Sequence, residues 1–285
     1  MTRDSNLISV EELSSRIGAA DLRIIDCRFD LADTTAGRRS YLEAHIPGAV
    51  YADLDKDLAA PVAHDTGRHP LPAPETFAAT CSRFGISNTT EVVVYDRESG
   101  AVAARAWWML RWLGHTRVRL LDGGFERWVG LSNPTSGGTE MPALREFIAC
   151  PRLDWLLTTD ELASSTIRIP SLNLYDARDA VRFRGEHEPI DPVAGHIPGS
   201  HNLPYSVSLA ADGRWKSRAE LEALWRVVLG DDKTKSWAVM CGSGVTACHL
   251  AVSAAEAGYS PPRLYAGSWS EWIRDPERPI GHDER

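Results

Sequence analysis

Short apolar runs alternate with amphipathic stretches along the chain. Residues 22–25, 92–95 and 118–121 have the length and composition of buried strands, and so do 172–175, 237–240 and 263–265. A helix is expected ahead of the first run, where Ser9 and Glu12 have capping-box spacing; Thr158 to Ala163 stands in the same place ahead of the fourth. A longer helical stretch, 247–257, ends at Gly258. Strands alternating with helices predict an α/β chain with a mainly parallel central sheet flanked by helices, whose ligands bind at the carboxyl ends of the strands.

The pattern occurs twice. Ile24-Ile25-Asp26-Cys27-Arg28 matches Leu174-Tyr175-Asp176-Ala177-Arg178, and Ala44-His45-Ile46-Pro47-Gly48 matches Gly195-His196-Ile197-Pro198-Gly199. The run ending in Asp96 matches the run ending in Cys241, and Gly123-Gly124-Phe125-Glu126-Arg127-Trp128 matches Gly267-Ser268-Trp269-Ser270-Glu271-Trp272. The matches are collinear at offsets of about 150 residues, so two homologous domains in tandem are expected. The first spans 1–140 and the second 152–285, with the linker at about 130–152, where Asn133-Pro134-Thr135-Ser136-Gly137-Gly138 has loop composition.

The halves differ at the end of one strand. The second half has Cys241-Gly242-Ser243-Gly244-Val245-Thr246 before its helix; the first has Asp96-Arg97-Glu98-Ser99-Gly100. Two glycines let the loop curl. Its amides and the first N–H groups of the helix can then converge on one spot, an arrangement that favours an anion and hence a thiolate. Cys241 is therefore read as an activated nucleophile. Asp96 cannot do that chemistry, which leaves the first half as a wall, with the cleft between domains as the default ligand site.

Composition narrows the reading. The 285 residues are 43% hydrophobic and 25% charged, typical of a globular chain. A net charge of −8 argues against nucleic acid or an anionic membrane as partner. No basic start with an apolar stretch marks a secretory signal, and no apolar run is long enough to span a membrane. Five scattered cysteines form neither a disulfide framework nor a metal motif, so a reducing cytoplasmic location without metal or organic cofactor is expected.

These motifs together resemble the two-domain rhodanese-like sulfurtransferases over nearly the whole chain. The loop Cys-Gly-Ser-Gly-Val-Thr resembles the branch that uses 3-mercaptopyruvate. The resemblance implies a ping-pong reaction through a Cys241 persulfide, releasing pyruvate and passing the sulfur to cyanide, thioredoxin or another thiol. It maps a proton relay onto Ser243, His69 and Asp53. It maps the grip on the donor's carboxylate onto Arg182, with Arg184 beside it, and lines the donor with Gly242, Gly244, Val245 and Thr246. A planar guanidinium suits a carboxylate because it pairs with both oxygens.

One departure stands out. The family usually has a second arginine after Glu-Pro, where this chain has Ile190 following Glu188-Pro189. That leaves thiosulfate as an alternative donor and a sulfur-relay module as an alternative role. A cysteine phosphatase would need an arginine six residues past the nucleophile, and position 247 is alanine. Asp26, Arg28, Asp176, Arg178, His45, His196 and the tryptophans, among them Trp269 and Trp272, are read as structural.

Overall fold

A computed structural model describes residues 5–164 and 172–282. The opening four residues, part of the segment read as lacking a signal, lie outside the described residues. The chain forms two compact units. One takes the described residues of Met1–Ala60 with Pro72–Arg152 and Leu209–Trp215; the other takes Pro61–Leu71, Leu153–Ser208 and the described residues of Lys216–Arg285. Each unit thus includes one short segment from the other half of the sequence.

The first unit is built on a five-stranded sheet. Its strands are β1 (Leu7–Ile8), β2 (Leu22–Asp26), β3 (Ala49–Tyr51), β4 (Glu91–Tyr95) and β5 (Val118–Leu121). They pair in parallel in the order β1-β5-β4-β2-β3. Central β4 is buried from Val92 to Tyr95, as a parallel strand covered on both faces must be. The helix Ala103–Trp112 is buried almost all round, which accounts for the tryptophans at 107, 108 and 112; Trp108 stacks on Trp112 at 5.9 Å. On the sheet's other flank Ile8, Val10, Leu13, Val93, Leu121 and Trp128 form the core cluster. The segment Leu209–Trp215 is tied in by the amide of Trp215, which donates to Asp122 at 3.0 Å.

The second unit repeats this plan. Its strands β6 (Leu156–Leu157), β7 (Leu174–Asp176), β8 (His201–Asn202), β9 (Ala238–Met240) and β10 (Arg263–Tyr265) are parallel in the order β6-β10-β9-β7-β8. Trp269 and Trp272 are fully buried in its core cluster. The likeness extends to single hydrogen bonds. Ala177 N donates to Met240 O at 2.8 Å, as Cys27 N does to Tyr95 O at 2.7 Å.

The repeated Asp-x-Arg motif is a staple. Arg28 binds both carboxylate oxygens of Asp26 and reaches the carbonyl of Ala44 at 2.6 Å; Arg178 does the same with Asp176 and the carbonyl of Gly195 at 2.8 Å. Each arginine thereby holds the turn that follows, His-Ile-Pro-Gly. The histidines complete it: His45 Nδ1 bonds Tyr41 O at 2.8 Å, and His196 Nδ1 bonds Phe183 O at 2.9 Å.

Three features differ from the sequence reading. A two-residue strand, β1 or β6, precedes the helix that was expected to open each half, and β3 and β8 were not anticipated. Strands this short carry no readable alternation. Ser9 accepts from Glu12 N at 3.1 Å, whereas at Thr158 and Glu161 the reciprocal box forms, with Glu161 accepting from Thr158 N at 2.9 Å. Among the described residues, no helix is long and apolar enough to cross a membrane.

Candidate active site

Cys241 follows the last residue of β9 and stands at the carboxyl edge of the second sheet. The Gly267–Trp272 segment clamps it. Cys241 N donates to Ser268 Oγ at 3.0 Å, Trp269 N donates to Cys241 O at 3.0 Å, and Ser270 N donates to Gly242 O at 2.9 Å. Ser268 adopts a left-handed backbone, φ 55°, and its hydroxyl donates to Tyr265 O at 2.8 Å. The loop then turns through Gly244, φ +75°, where a Cβ would collide with the carbonyl of Ala266; only glycine fits. The helix Ala247–Glu256 starts directly after Thr246. The loop is buried from Cys241 to Val245 and half-buried at Thr246, with Cys241 2% exposed.

The first unit shows what such a loop holds. Asp96 occupies the matching place after β4. Its carboxylate accepts from Gly100 N at 2.9 Å, Val102 N at 2.8 Å and Ala103 N at 3.1 Å. Burial pushes this carboxyl above its usual range, and the three amides work against that shift. The twin loop in the second unit is not filled this way. Among the described residues, the N–H groups of Gly242, Ser243, Val245 and Thr246 have no hydrogen-bond acceptor. Amides without a partner are costly, and these four, grouped around one cysteine, can take an anion as their acceptor.

The segment Gly67-Arg68-His69 folds with the second unit and docks on the cysteine's clamp. Gly67 N donates to Glu271 at 3.3 Å and Arg68 N donates to Ser270 Oγ at 3.0 Å. This docking sets His69 Nδ1 2.8 Å from Ser243 Oγ. Both residues are buried, so a proton can pass between them out of bulk water.

A charged cluster closes the other side. Arg182 Nε lies 3.0 Å from both oxygens of Glu188, and its Nη2 donates to Glu188 at 2.8 Å and to Asp191 at 3.2 Å. Arg178 reaches Glu188 at 3.3 Å, and Arg68 pairs with Asp191. Burial would push the Glu188 carboxyl up, but Arg182 and the amides of Asp191 and Ile190 outweigh it and hold it below the usual range. Asp191 goes the other way: burial raises it, and the guanidinium of Arg68 only partly offsets this.

Comparison with known proteins decides the family. Residues 9–131 and 158–275 each match the rhodanese-like domain. The chain belongs to the rhodanese-like sulfurtransferases. A relative in Pseudomonas aeruginosa, named a "probable 3-mercaptopyruvate sulfurtransferase", is 44% identical over 97% of this chain and 98% of its own. The thiosulfate sulfurtransferase of Gallus gallus is 36% identical over 94% of this chain and 93% of its own. The structure of the 3-mercaptopyruvate sulfurtransferase from Leishmania major superposes with a TM-score of 0.80 at 31% identity, covering 95% of this chain and 75% of that one.

Within this rhodanese-like sulfurtransferase the structure gathers most of the residues singled out from sequence. Cys241 through Thr246, His69 and Arg182 surround one loop. Arg184 stands two residues on, its guanidinium turned to Glu186 at 2.9 Å. Asp53 belongs to the first unit, where its carboxylate accepts from Asp55 N at 3.0 Å and Lys56 Nζ at 2.9 Å. Trp269 and Trp272 are core residues, their indole N–H groups given to Val193 O and Pro279 O. Arg68, Glu188, Asp191, Ser268 and Ser270 were missed. Only Arg68 carried a hint, as the neighbour of His69.

Proposed function

We propose that the chain transfers the sulfur of 3-mercaptopyruvate through a persulfide on Cys241. The observation that carries this reading is the pair of twin loops: one filled by the carboxylate of Asp96, the other lined with unpaired amides around a cysteine. The Cys241 thiolate attacks the donor sulfur. The new S–S bond forms as the donor's S–C bond breaks, and the electron pair leaves on C3 as the enolate of pyruvate. Ser243 and His69, in contact with each other, would deliver a proton to that carbon. The amides stabilise the anionic sulfur before and after transfer. Cyanide, or a thiolate such as that of thioredoxin, then attacks the outer sulfur and restores the Cys241 thiolate.

Arg182 is suited to bind the donor's carboxylate. Gly242, Gly244, Val245 and Thr246 would contact the donor through their backbone. Arg184, engaged by Glu186, would serve as a second-line charge. Asp53 has its carboxylate engaged within its own turn, so the relay proposed here runs through Ser243 and His69. A cytoplasmic setting, where thiols stay reduced, suits this chemistry. The identity to the Pseudomonas aeruginosa relative favours mercaptopyruvate over thiosulfate as donor. Assaying both donors with cyanide tests the reading: kcat/KM is expected to be higher with 3-mercaptopyruvate, and a clear preference for thiosulfate would overturn the donor assignment. Donor-treated protein should gain about 32 Da on the Cys241 peptide, and Cys241→Ser should abolish both that gain and turnover.

A further inference from the structure

The family's second arginine is absent at Ile190, a residue 41% exposed. A second guanidinium nevertheless reaches the cysteine loop from elsewhere in the sequence. Gly242 has no side chain, and a methyl group built there would lie 2.9 Å from Arg68 Nη2, 3.5 Å from Arg182 Nη2 and 3.8 Å from Arg182 Nη1. Two guanidinium groups thus face one point above the residue next to the nucleophile.

Neither is fully used. Arg68 gives Nη1 to Asp191, while its buried Nε has no hydrogen-bond partner and its Nη2 has no acceptor among the described residues. Arg182 spends Nε and Nη2 on Glu188 and Asp191 and leaves Nη1 without an acceptor among the described residues. Asp191 bridges the two arginines and is itself buried, with a side chain 3% exposed, so both are held in place without a ligand. Backbone docking of Arg68 on Ser270 fixes the base of its side chain.

We propose that Arg68, together with Arg182, binds the carboxylate of the sulfur donor and makes the site selective for a carboxylate-bearing monoanion. This rests on the reading of Cys241 as sulfur acceptor. A carboxylate placed between the two free N–H arms satisfies donors that otherwise stay unpaired. Charge favours a single negative unit there. The cluster already balances Arg68, Arg178 and Arg182 against Asp176, Glu188 and Asp191, so a dianion such as thiosulfate adds two charges to a neutral group whose carboxylates are buried and whose Arg68 and Arg182 are part-buried.

The test compares Arg68→Gln with the wild-type chain in two assays. The first is steady-state transfer to cyanide. Arg68→Gln should raise KM for 3-mercaptopyruvate about tenfold or more, while kcat moves less than about threefold. The second needs no sulfur donor. Iodoacetate carries a carboxylate and iodoacetamide does not, and both alkylate the thiolate with loss of iodide. The ratio of their rates, read at the Cys241 peptide by mass spectrometry, should fall about tenfold in Arg68→Gln. If Arg68→Gln fails to fold, Arg68→Lys carries the test, because an ammonium can hold Asp191 but has no second planar arm. Its KM should rise about threefold and its alkylation ratio should fall in step. An unchanged KM and an unchanged ratio, in whichever variant folds, overturn the proposal. A wild-type protein that turns over neither donor refutes the sulfur-transfer reading instead, and the alkylation ratio still decides the role of Arg68.

Discussion

His69 and Ser243 are 174 residues apart in sequence, yet the imidazole Nδ1 stands 2.8 Å from the hydroxyl oxygen. The contact exists because the segment carrying His69 leaves its own half and folds on the clamp around Cys241. A hydrogen-bonded Ser–His pair can move a proton to and from a departing enolate. Ser243→Ala and His69→Gln should each lower kcat about 10²-fold with a KM change below about threefold, the signature of an interaction used in the chemical step. Steady-state kinetics on 3-mercaptopyruvate, paired with thermal melts to show that the fold is kept, make the check. A KM effect with intact kcat would reassign the pair to donor binding.

Glycines 242 and 244 look alike in sequence, but the structure asks different things of them. Gly244 is held at φ +75° with the Ala266 carbonyl where a Cβ would be, a backbone clash that a rotamer change cannot relieve. Gly244→Ala should destabilise the chain by about 2 kcal/mol or more and abolish transfer. At Gly242 the nearest atoms are the far ends of Arg68 and Arg182, which can swing away. Gly242→Ala should therefore cost less than about 1 kcal/mol of stability while raising KM for the donor, since the displaced groups are the arginines. Urea unfolding and KM measured side by side separate the two cases.

Much of the fold was legible because its central strands are continuous apolar runs. Val92–Tyr95 and Ala238–Met240 can only be buried, and the repeated Asp-x-Arg and His-Ile-Pro-Gly words fixed the duplication. The edge strands were not legible: β1, β6 and β8 have two residues each, too few for any period to show. At the site, the Cys241 loop announced itself through residue type and local spacing alone. Arg68 did not, because its importance comes from docking on Ser270, about 200 residues away, in a stretch with no secondary structure of its own. Nothing in the sequence around Glu188 and Asp191 marks these carboxylates as buried. In the structure their side chains are 3% exposed and hold both arginines. Charge patterns do not reveal burial, so a buried network and a surface salt-bridge cluster look the same in one dimension.

Asp96 gives a control within the same chain. Its carboxylate satisfies three amides of a loop that matches the reactive one. Asp96→Ala leaves those N–H groups unpaired and should destabilise the chain by about 3 kcal/mol. Asp96 belongs to the first unit and Cys241 to the second, so kcat/KM of the folded protein should stay within about twofold of wild type. Calorimetry and kinetics at a temperature below the first transition provide the comparison. A large fall in kcat/KM without loss of stability would mean that the first unit's loop takes part in the reaction.

Glu188 links the stability of the second unit to pH. Its carboxyl lies below the usual range in the folded state, because Arg182 and two backbone amides overcome the upward push of burial. A group whose pKa is depressed by folding stabilises the protein above its unfolded pKa, and that contribution is lost as pH falls through the folded value. Glu188→Gln keeps the shape but removes the charge opposite Arg182. At pH 7 the variant should be less stable by about 2 kcal/mol, the order expected for hydrogen bonds to a charged group. The gap should hold down to about pH 4.5 and then narrow under further acidification, as the wild-type carboxyl takes up its proton. Thermal melts of both proteins from pH 7 to pH 3 read this directly. A constant gap across that range would show that the loss comes from packing, and a gap that widens in acid would reverse the sign assigned to Glu188. Because Arg182 is released at the same time, KM for the donor should rise in the variant at pH 7, tying the two measurements to one ion pair.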